Sequence, residues 1–195
     1  LPTEVIVVDD GSTDGCCHDL PGERTRVLRH AERIGVAASR NEATRAAQGD
    51  VFVYLDGHQR VSRLCIDHCA AVALRKNAIV WPDVRALHDR KPMAHGADFR
   101  ICERNGYFSA SWRMGPPRGS LTKITALRAP GYAIPRNVFQ NVRWISALRG
   151  WGGSEAAVSL KAFFTDTPML HACGPLARHL FKENFQYEVL DAEVW

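Results

Sequence analysis

Two strongly apolar segments of this sequence end directly in acidic side chains, and this feature constrains the fold more than any other. Residues 5–8 are a continuous β-branched run, which is typical of a strand buried on both faces. The run ends in an acidic, turn-rich loop over residues 9–15. Residues 51–55 predict a second buried strand, which is followed at once by Asp-Gly-His at 56–58. The chain must therefore bury both strands and bring their polar ends to one surface.

Helical patterns alternate with strands in the first half of the chain. A helix over 64–75 would place Cys65, Cys69, Val72 and Ala73 on one face. The alternation predicts an α/β fold with a mostly parallel, Rossmann-like sheet flanked by helices. Right-handed crossovers then place both acidic loops at the edge of the sheet where ligands bind. The other elements predicted here are a short strand at 26–28, a helix at 36–48 and a strand at 78–81.

The second half of the chain has a different character. Residues 83–130 are rich in Arg, Gly, Pro and aromatic residues and have little periodicity, so we expect long loops and short strands flanking a cleft. A short strand and a turn follow within 131–139. A glycine-rich loop then leads into a helix from about Ser154.

Charge and composition exclude several classes of protein. The net charge of +4 comes without a Lys/Arg block, which is evidence against nucleic-acid binding. No run of 18 apolar residues is present, so no membrane span is expected. Without a targeting segment we expect the cytoplasm, with a membrane anchor in a preceding segment as the alternative. The six cysteines form no CxxC pair, which disfavours a zinc ribbon, and buried free thiols are expected rather than disulfides. The chain starts at Leu1 and enters a strand by Glu4, which suggests a fragment of a longer protein.

The Asp-Gly-His sequence has the donor atoms of a metal site. Side chains two residues apart in extended or turn backbone point the same way, so Asp56 and His58 can reach one ion. A carboxylate with an imidazole suits Mn²⁺ or Zn²⁺ better than Ca²⁺. A plain surface turn fits the same residues, because Asp-Gly is a common turn dipeptide. Asp9 and Asp10 likewise fit either ligand binding or loop capping.

The spacing of the two acidic loops fits a response-regulator receiver domain in one respect. Asp10 and Asp56 are 46 residues apart, about the separation of the acidic pair and the phosphorylated aspartate in that class. The sequence after the next strand, however, has no Thr or Ser in the required place, and no later Lys is a convincing match. The receiver is therefore the weaker hypothesis.

Five segments in order provide a better match: EVIVVDDGSTDG, RIGVAASRNEATRAAQGDVFVYLDGH, APGYAIPRNVF, GWGGSEAAVSLKAFF and GPLARHLFK. This series resembles the family 2 glycosyltransferases of the GT-A fold, most closely the polypeptide N-acetylgalactosaminyltransferase branch and its bacterial relatives. The resemblance covers residues 4–182, with a looser match at 83–125. It implies a single GT-A domain over 1–195, with a nucleotide-binding half at 1–82 and a sugar- and acceptor-binding half at 83–195.

The resemblance also implies a metal site. This branch uses Asp-x-His, so Asp56, His58 and His179 would bind Mn²⁺ or another divalent cation that bridges the phosphates of a UDP-sugar. One carboxylate and two imidazoles leave coordination positions open for phosphate oxygens. From the residues alone, His179 also fits an ordinary surface histidine.

Other residues acquire roles through the same resemblance. Asp10 would hydrogen-bond the uracil ring, with Asp9 structural, and Arg40 would help to hold the nucleotide. A solvated helix face is the alternative for Arg40. Gly131 would belong to the strand that lines the sugar pocket, where small residues let the backbone approach the ligand.

The glycine-rich loop departs from the family pattern. Trp151, Gly152 and Gly153 match a mobile loop that closes over the donor sugar and excludes water. The branch continues with an acid where this chain has Ser154, so either Glu155 takes that role or the sugar preference differs. Alternatively, Glu155 is an acid of the first helical turn and Ser154 is the N-cap.

The function implied is transfer of a GalNAc- or hexose-type sugar from a UDP-sugar to an acceptor hydroxyl, with retention of configuration. The acceptor is a glycan or a protein, and an oligomer is possible. A non-catalytic GT-A domain that only binds a nucleotide is the alternative. Family members have one more central strand before residue 4, so we expect the sheet of this chain to be incomplete.

Overall fold

The computed structural model describes residues 2–20, 22–88, 94–101, 108–117, 119–150 and 153–181. Strands and helices alternate through the first half, and short strands dominate the second. The strands are β1 Val5–Asp10, β2 Thr25–His30, β3 Val51–Val53, β4 Gln59–Val61, β5 Ile79–Ala86, β6 Ala97–Ile101, β7 Phe108–Trp112, β8 Leu121–Lys123, β9 Ala133–Pro135 and β10 Met169–His179. The helices are α1 Val36–Ala46, α2 Cys65–Lys76, α3 Arg136–Val142 and α4 Ser154–Phe164.

A six-stranded sheet forms the centre of the molecule. Its order is β3-β9-β5-β10-β4, and β8 also pairs with β10. The fold is mixed α/β, as predicted from the sequence. The expected mostly parallel strand direction is corrected, however, because in this sheet only β5 and β10 run parallel. The three-residue strands β4, β8 and β9 turn back against longer neighbours, and strands this short have little periodicity to reveal them.

The core lies on both faces of this sheet. Alternate residues of β5 point to opposite faces, so Ile79 and Trp81 join one buried cluster and Val80 joins the other. Helix α2 covers the second face with the four side chains predicted to share one face of that helix, all of them buried. Aromatic side chains of the first cluster pack beneath the site described below. The expected boundary at 82/83 falls within β5, so the two proposed halves share a strand.

Strands β1 and β2 form a separate parallel pair. The prediction that residues 5–8 are buried on both faces is wrong: Val5 is 47% exposed, and only Asp9 of this strand is fully buried. Within the described residues, β2 is the one strand that pairs with β1, and α1 packs against it. One edge of β1 therefore has no strand beside it in the described part of the chain, which explains the exposure.

Helix and turn boundaries differ by small amounts from those expected. Helix α1 ends at Ala46, two residues early, and the turn expected after β9 is helix α3. The second half does contain short strands, with β6 and β7 forming an antiparallel hairpin. The described cysteines form no disulfide, as predicted, but the expectation that they are buried holds only for Cys65 and Cys69. None of the helices in the described ranges is long and apolar enough to cross a membrane.

Strand β10 has an irregularity at its centre. Its register against β5 jumps from Ala172 opposite Pro82 to Leu176 opposite Asp83, so three residues of β10 bulge out. Gly174, in the bulge, has a φ of +110°, a region that favours glycine. The bulge bends the strand without ending it, and β10 continues to His179.

Candidate functional site

Strand pairing brings His179 to the Asp-Gly-His turn. Strand β10 pairs antiparallel with β4 in a register that places His179 opposite Gln59, the residue after His58. The backbone N–H of Leu180 also donates to the carbonyl of His58 at 3.3 Å. Two histidines 121 residues apart in the chain therefore become neighbours through one strand pair.

The donor atoms of Asp56, His58 and His179 converge on one point. His179 Nε2 lies 3.2 Å from Asp56 Oδ2 and 3.1 Å from His58 Nε2. His58 Nε2 lies 3.7 Å from the same Asp56 oxygen. Donor atoms about 2.1 Å from a shared ion would lie about 3.0 Å apart at right angles and about 3.4 Å apart in a tetrahedron. The three side chains therefore fit a divalent cation, and they are the three that the sequence singled out.

The Asp-Gly-His turn is fixed by a residue that sequence reasoning missed. Gln59 accepts a hydrogen bond from the Asp56 backbone N–H at 2.9 Å. Its amide group donates to the carbonyl of Pro130 at 2.8 Å, which ties the turn to the segment before β9. A glutamine beside a metal motif has no distinctive spacing, so only the folded contacts reveal this role.

Asp56 is held as a carboxylate. Burial acts to raise the pKa of Asp56, but the hydrogen bond with His179 and the positive charge of Arg40 outweigh burial, so its pKa is lowered. Arg40 Nη2 lies 3.6 Å from Asp56 Oδ1. The metal-facing oxygen and the arginine-facing oxygen are thus different atoms of one carboxylate.

Arg40 is directed into the protein, which rules out the solvated-face alternative. Its side chain is 14% exposed, its guanidinium lies over the Trp144 ring at 4.7 Å, and its Nη1 donates to Glu155 Oε1 at 2.6 Å. The Tyr132 hydroxyl donates to the same Glu155 oxygen at 3.2 Å. Arg40 therefore links the metal-site carboxylate to the first turn of α4.

Glu155 is engaged at both carboxylate oxygens. The Ser154 hydroxyl donates to Oε2 at 2.8 Å, while Oε1 accepts from Arg40 and Tyr132. Burial acts to raise the pKa of Glu155, but the charge of Arg40 outweighs it and the pKa is lowered. Glu155 lies in the first turn of α4, as the helical alternative predicted. The expectation that Ser154 is the N-cap is wrong, because Gly153 takes that position with a φ of +66°.

Asp10 is the centre of a second polar group. It accepts hydrogen bonds from the backbone N–H of Ile34 and of Gly35, both at 2.9 Å. His30 Nδ1 lies 2.8 Å from the first Asp10 oxygen, and His30 Nε2 lies 2.7 Å from Glu42 Oε2. One acceptor position on the second Asp10 oxygen remains available for a donor such as a uracil N–H. Sequence reasoning did not identify His30, because its partners lie 20 residues before it and 12 after it.

Asp9 has the structural role expected for it. Its Oδ1 accepts a hydrogen bond from the Ser12 backbone N–H at 2.9 Å, and Arg29 lies 3.2 Å from its other oxygen. Asp9 is 4% exposed. Its side chain therefore closes the loop after β1.

The remaining predicted residues lie around the Asp56 site or outside the described residues. Gly131 has a φ of +115°, and its N–H donates to the Tyr54 carbonyl at 2.7 Å. A Cβ at this position would lie 3.3 Å from the Ala177 side chain, so the close approach here is to β10. Gly153 begins α4, whereas Trp151 and Gly152 lie outside the described residues.

Comparison with known families gives one match over the first half of the chain. The family model for glycosyl transferase family 2 matches residues 1–96. A relative from Macaca fascicularis, named as inactive polypeptide N-acetylgalactosaminyltransferase-like protein 5, is 27% identical over 177 residues, which are 81% of this chain and 40% of that protein. Polypeptide N-acetylgalactosaminyltransferase 8 of Drosophila melanogaster is 26% identical over 205 residues, or 95% of this chain and 34% of the relative. The chain thus spans well under half the length of these relatives.

Solved structures have the same fold. A crystal structure of GalNAc-T7 with UDP, GalNAc and Mn²⁺ matches with a TM-score of 0.74 and 17% identity, covering 96% of this chain and 39% of that one. Residues 1–349 of S. aureus TarS in complex with UDP-GlcNAc match with a TM-score of 0.62 and 14% identity, covering 95% of this chain and 52% of that segment. These neighbours are glycosyltransferases of the GT-A fold. Neither the family match nor these structural matches support the receiver-domain hypothesis.

Proposed function

The chain belongs to glycosyl transferase family 2, with which residues 1–96 match, and has the GT-A fold; from that premise we propose that it transfers a hexose-type sugar from a UDP-sugar to an acceptor hydroxyl. The observation that carries the proposal is the convergence of Asp56, His58 and His179. Three ligands contributed by a turn and a distant strand suit a divalent cation, of which Mn²⁺ is our first choice. GalNAc-T7, the structural neighbour with UDP and Mn²⁺, supports this choice.

A bound divalent cation would neutralise the negative charge that develops on a departing diphosphate. The residues of the chain would provide the rest of the site. Asp56, His58 and His179 would hold the ion, with Gln59 keeping the turn in place. Asp10 would accept a hydrogen bond from the uracil ring at its remaining acceptor position. Arg40 would keep Asp56 ionised and turned toward the imidazoles.

We propose retention of configuration, because the site offers a poor general base. Glu155 is the carboxylate best placed by the sequence for that role, yet its lowered pKa and its three hydrogen bonds make it reluctant to accept a proton. In the proposed reaction the acceptor oxygen bonds to the anomeric carbon as the bond to the diphosphate breaks. The acceptor proton passes to the departing phosphate oxygen. The acceptor is a glycan or a protein hydroxyl.

A nucleotide-binding domain without transferase activity is the second candidate. The relative from Macaca fascicularis that is named inactive favours it, as does the engagement of both Glu155 oxygens. The convergence of Asp56, His58 and His179 argues against it, because the pairing of β10 with β4 and β5 holds the three side chains together. The two candidates share metal and nucleotide binding and differ only in turnover.

The test is isothermal titration of UDP into metal-free protein, with and without Mn²⁺. We expect UDP binding that depends on Mn²⁺ and weakens by about 100-fold or more in His179→Ala, because one of three ligands is lost. His68→Ala, which removes an exposed imidazole from α2, is the matched control and should bind like the parent chain. UDP binding that is unchanged by Mn²⁺ and by His179→Ala would refute the metal site.

Turnover is tested separately. UDP release from UDP-GalNAc and from UDP-GlcNAc, with Mn²⁺ present, should occur in the parent chain and in His68→Ala but not in His179→Ala. Metal-dependent UDP binding with no release from either donor, even with glycan and peptide acceptors added, would favour the non-catalytic candidate.

A further inference from the structure

A second cluster of ligand-type side chains lies away from the Asp56 site. Asp83 Oδ1 is 2.6 Å from His95 Nδ1 and 2.8 Å from His171 Nε2. The three residues come from β5, from the segment before β6 and from β10, so no local pattern brings them together. The side chains of Asp83 and His171 are 3% and 0% exposed, and that of His95 is 11% exposed. No step of the proposed transferase reaction uses any of them.

The bulge of β10 is built around this cluster. The register against β5 jumps between Ala172 and Leu176, directly beside Asp83. The N–H of Gly174, at the tip of the bulge, donates to Asp83 Oδ2 at 2.9 Å. This contact orients the carboxylate so that Oδ1 faces the two imidazoles. Bulges that re-aim backbone groups in this way are over-represented beside functional sites.

The hydrogen bonding of the cluster leaves one buried group unsatisfied. Both imidazoles face Asp83 Oδ1, because Oδ2 accepts the hydrogen bond from the Gly174 N–H. His171 Nδ1 is buried and has no hydrogen-bond partner in the described part of the chain. One donor atom from each of the three residues lies within 4.8 Å of the others. The three side chains can therefore offer their donor atoms to one ion.

A polar cavity borders the cluster at His95. The cavity has a volume of about 280 Å³ and is lined by His95, Asp98, Arg113 and Thr122 among others. An ion pair stabilises its wall, because Arg113 donates through two nitrogens to the two oxygens of Asp98. His95, the most exposed member of the cluster, is the one that borders the cavity. An ion could therefore enter on the His95 side and keep a water molecule there.

We propose that Asp83, His95 and His171 form a second metal site, which takes Zn²⁺ with its fourth position facing the cavity. Two imidazoles and one carboxylate are ligands that Zn²⁺ accepts in tetrahedral geometry. Ligands about 2.0–2.1 Å from the ion lie about 3.3 Å apart in a tetrahedron, so binding opens the 2.6 and 2.8 Å contacts by about half an ångström. The bulge and the segment before β6 are the parts that would move. The ion would then join β5, β10 and the β6–β7 hairpin.

The experiment isolates this site from the first. His179→Ala removes a ligand of the Asp56 site, and Cys16→Ser with Cys17→Ser removes the two thiols nearest the surface at the start of the chain. In that triple variant, Co²⁺ used as a probe for Zn²⁺ should bind in one equivalent and give the visible absorption of a tetrahedral site. Zn²⁺ should displace it and raise the melting temperature of the variant.

Adding His95→Gln to the same background should abolish both effects. His95 is the least buried ligand, so its replacement is the one best tolerated by the fold, and circular dichroism checks that the chain remains folded. Adding His68→Gln instead should change nothing. The proposal is overturned if the folded triple variant binds no Co²⁺ or Zn²⁺, or if binding persists unchanged in His95→Gln. Both results are independent of UDP binding, so failure of this site and failure of the transferase proposal are distinguishable.

Discussion

His30 lies between two carboxylates, one at the end of β1 and one on α1. Its ring nitrogens are 2.8 Å from Asp10 and 2.7 Å from Glu42. The hydrogen bond with Asp10 raises the pKa of His30 despite the opposing effect of burial. For Asp10, burial acts to raise the pKa, but hydrogen bonds from the backbone and from His30 lower it overall. The trio of Asp10, His30 and Glu42 therefore favours the charged form of the imidazole, held between two carboxylates.

This trio predicts a pH dependence of stability. Because the pKa of His30 is raised on folding, its contribution is fully present below its unfolded pKa of about 6.5 and is lost as the pH rises through the folded value. Asp10 acts in the opposite direction: its contribution is present above about pH 3.9 and is lost as the pH falls through its lowered folded pKa. The trio therefore stabilises most in mildly acidic solution.

The measurement is chemical denaturation of the parent chain and of His30→Gln between about pH 5 and pH 9. The difference in unfolding free energy should be largest at the acidic end and should shrink as the pH rises. Glu42→Gln should show a smaller effect of the same sign. A difference that stays constant, or grows, above pH 7 would contradict the charged state assigned to His30.

At the residue scale, the sequence identified the side chains that converge at the Asp56 site more readily than the residues that support them. Asp56, His58 and His179 were identified through a series of motifs, and the structure brings them together. Gln59 and His30 were not identified, since each acts through a partner far away in the chain. Arg40 was singled out as a nucleotide-binding residue, which stays a prediction, and its contact with Glu155, 115 residues later, became visible only in the fold.

Two glycines show how local backbone geometry supports the site at the scale of elements. Gly35 begins α1 with a φ of +93°, and its N–H donates to Asp10. A Cβ at this position would lie 2.4 Å from the carbonyl oxygen of Arg149, which is backbone and cannot easily move. Gly57, inside the metal turn, has no atom within 4 Å of where its Cβ would lie.

Gly35→Ala should therefore destabilise the protein by about 1–3 kcal/mol or more, through strain at positive φ and displacement of the Arg149 backbone. Gly57→Ala should change stability by less than about 0.5 kcal/mol, as an exposed substitution without a clash. Urea denaturation of both variants checks the pair. Equal losses of unfolding free energy in the two variants would mean that the backbone at the start of α1 can move to accept a Cβ. That result would contradict the close approach to Arg149 described above.

The elements that the sequence predicted are those with a local pattern. Helices α1, α2 and α4 and strands β1, β3 and β5 were expected within a few residues, because periodicity and turn residues mark them. Strand β10 was missed because its bulge contains Gly174 and Pro175, which look like a break between elements. Strand β4 has only three residues and exists through its pairing with β10. The third metal ligand depends on these two unpredicted strands.

For the whole molecule, the described strands fall into unequal groups. The β5, β9 and β10 strands lie inside the six-stranded sheet, whereas β1 pairs on one side only within the described residues. Hydrogen exchange should reflect this difference, because amides without a ladder partner open locally at low cost. The sequence predicted an α/β fold but not this arrangement. The direction of a strand depends on where distant segments of the chain reverse and pair with it.

Hydrogen–deuterium exchange of the full chain, followed by mass spectrometry, tests this division. Peptides that contain β1 should exchange about tenfold or more faster than peptides that contain β5 and β10. Comparable protection would show that the β1 edge is covered in solution. The exposed turn at 12–15 provides an internal reference for fast exchange.

The third ligand of the Asp56 site comes from the last strand described. During synthesis from the N-terminus, the Asp-Gly-His turn leaves the ribosome more than a hundred residues before His179 does. Until β10 emerges and pairs with β4 and β5, the nascent chain offers an ion only two of these three side chains. An ion at this site, as proposed above, gains its third side chain only once β10 has paired, so a ribosome stalled before β10 would display the Asp-Gly-His turn without His179.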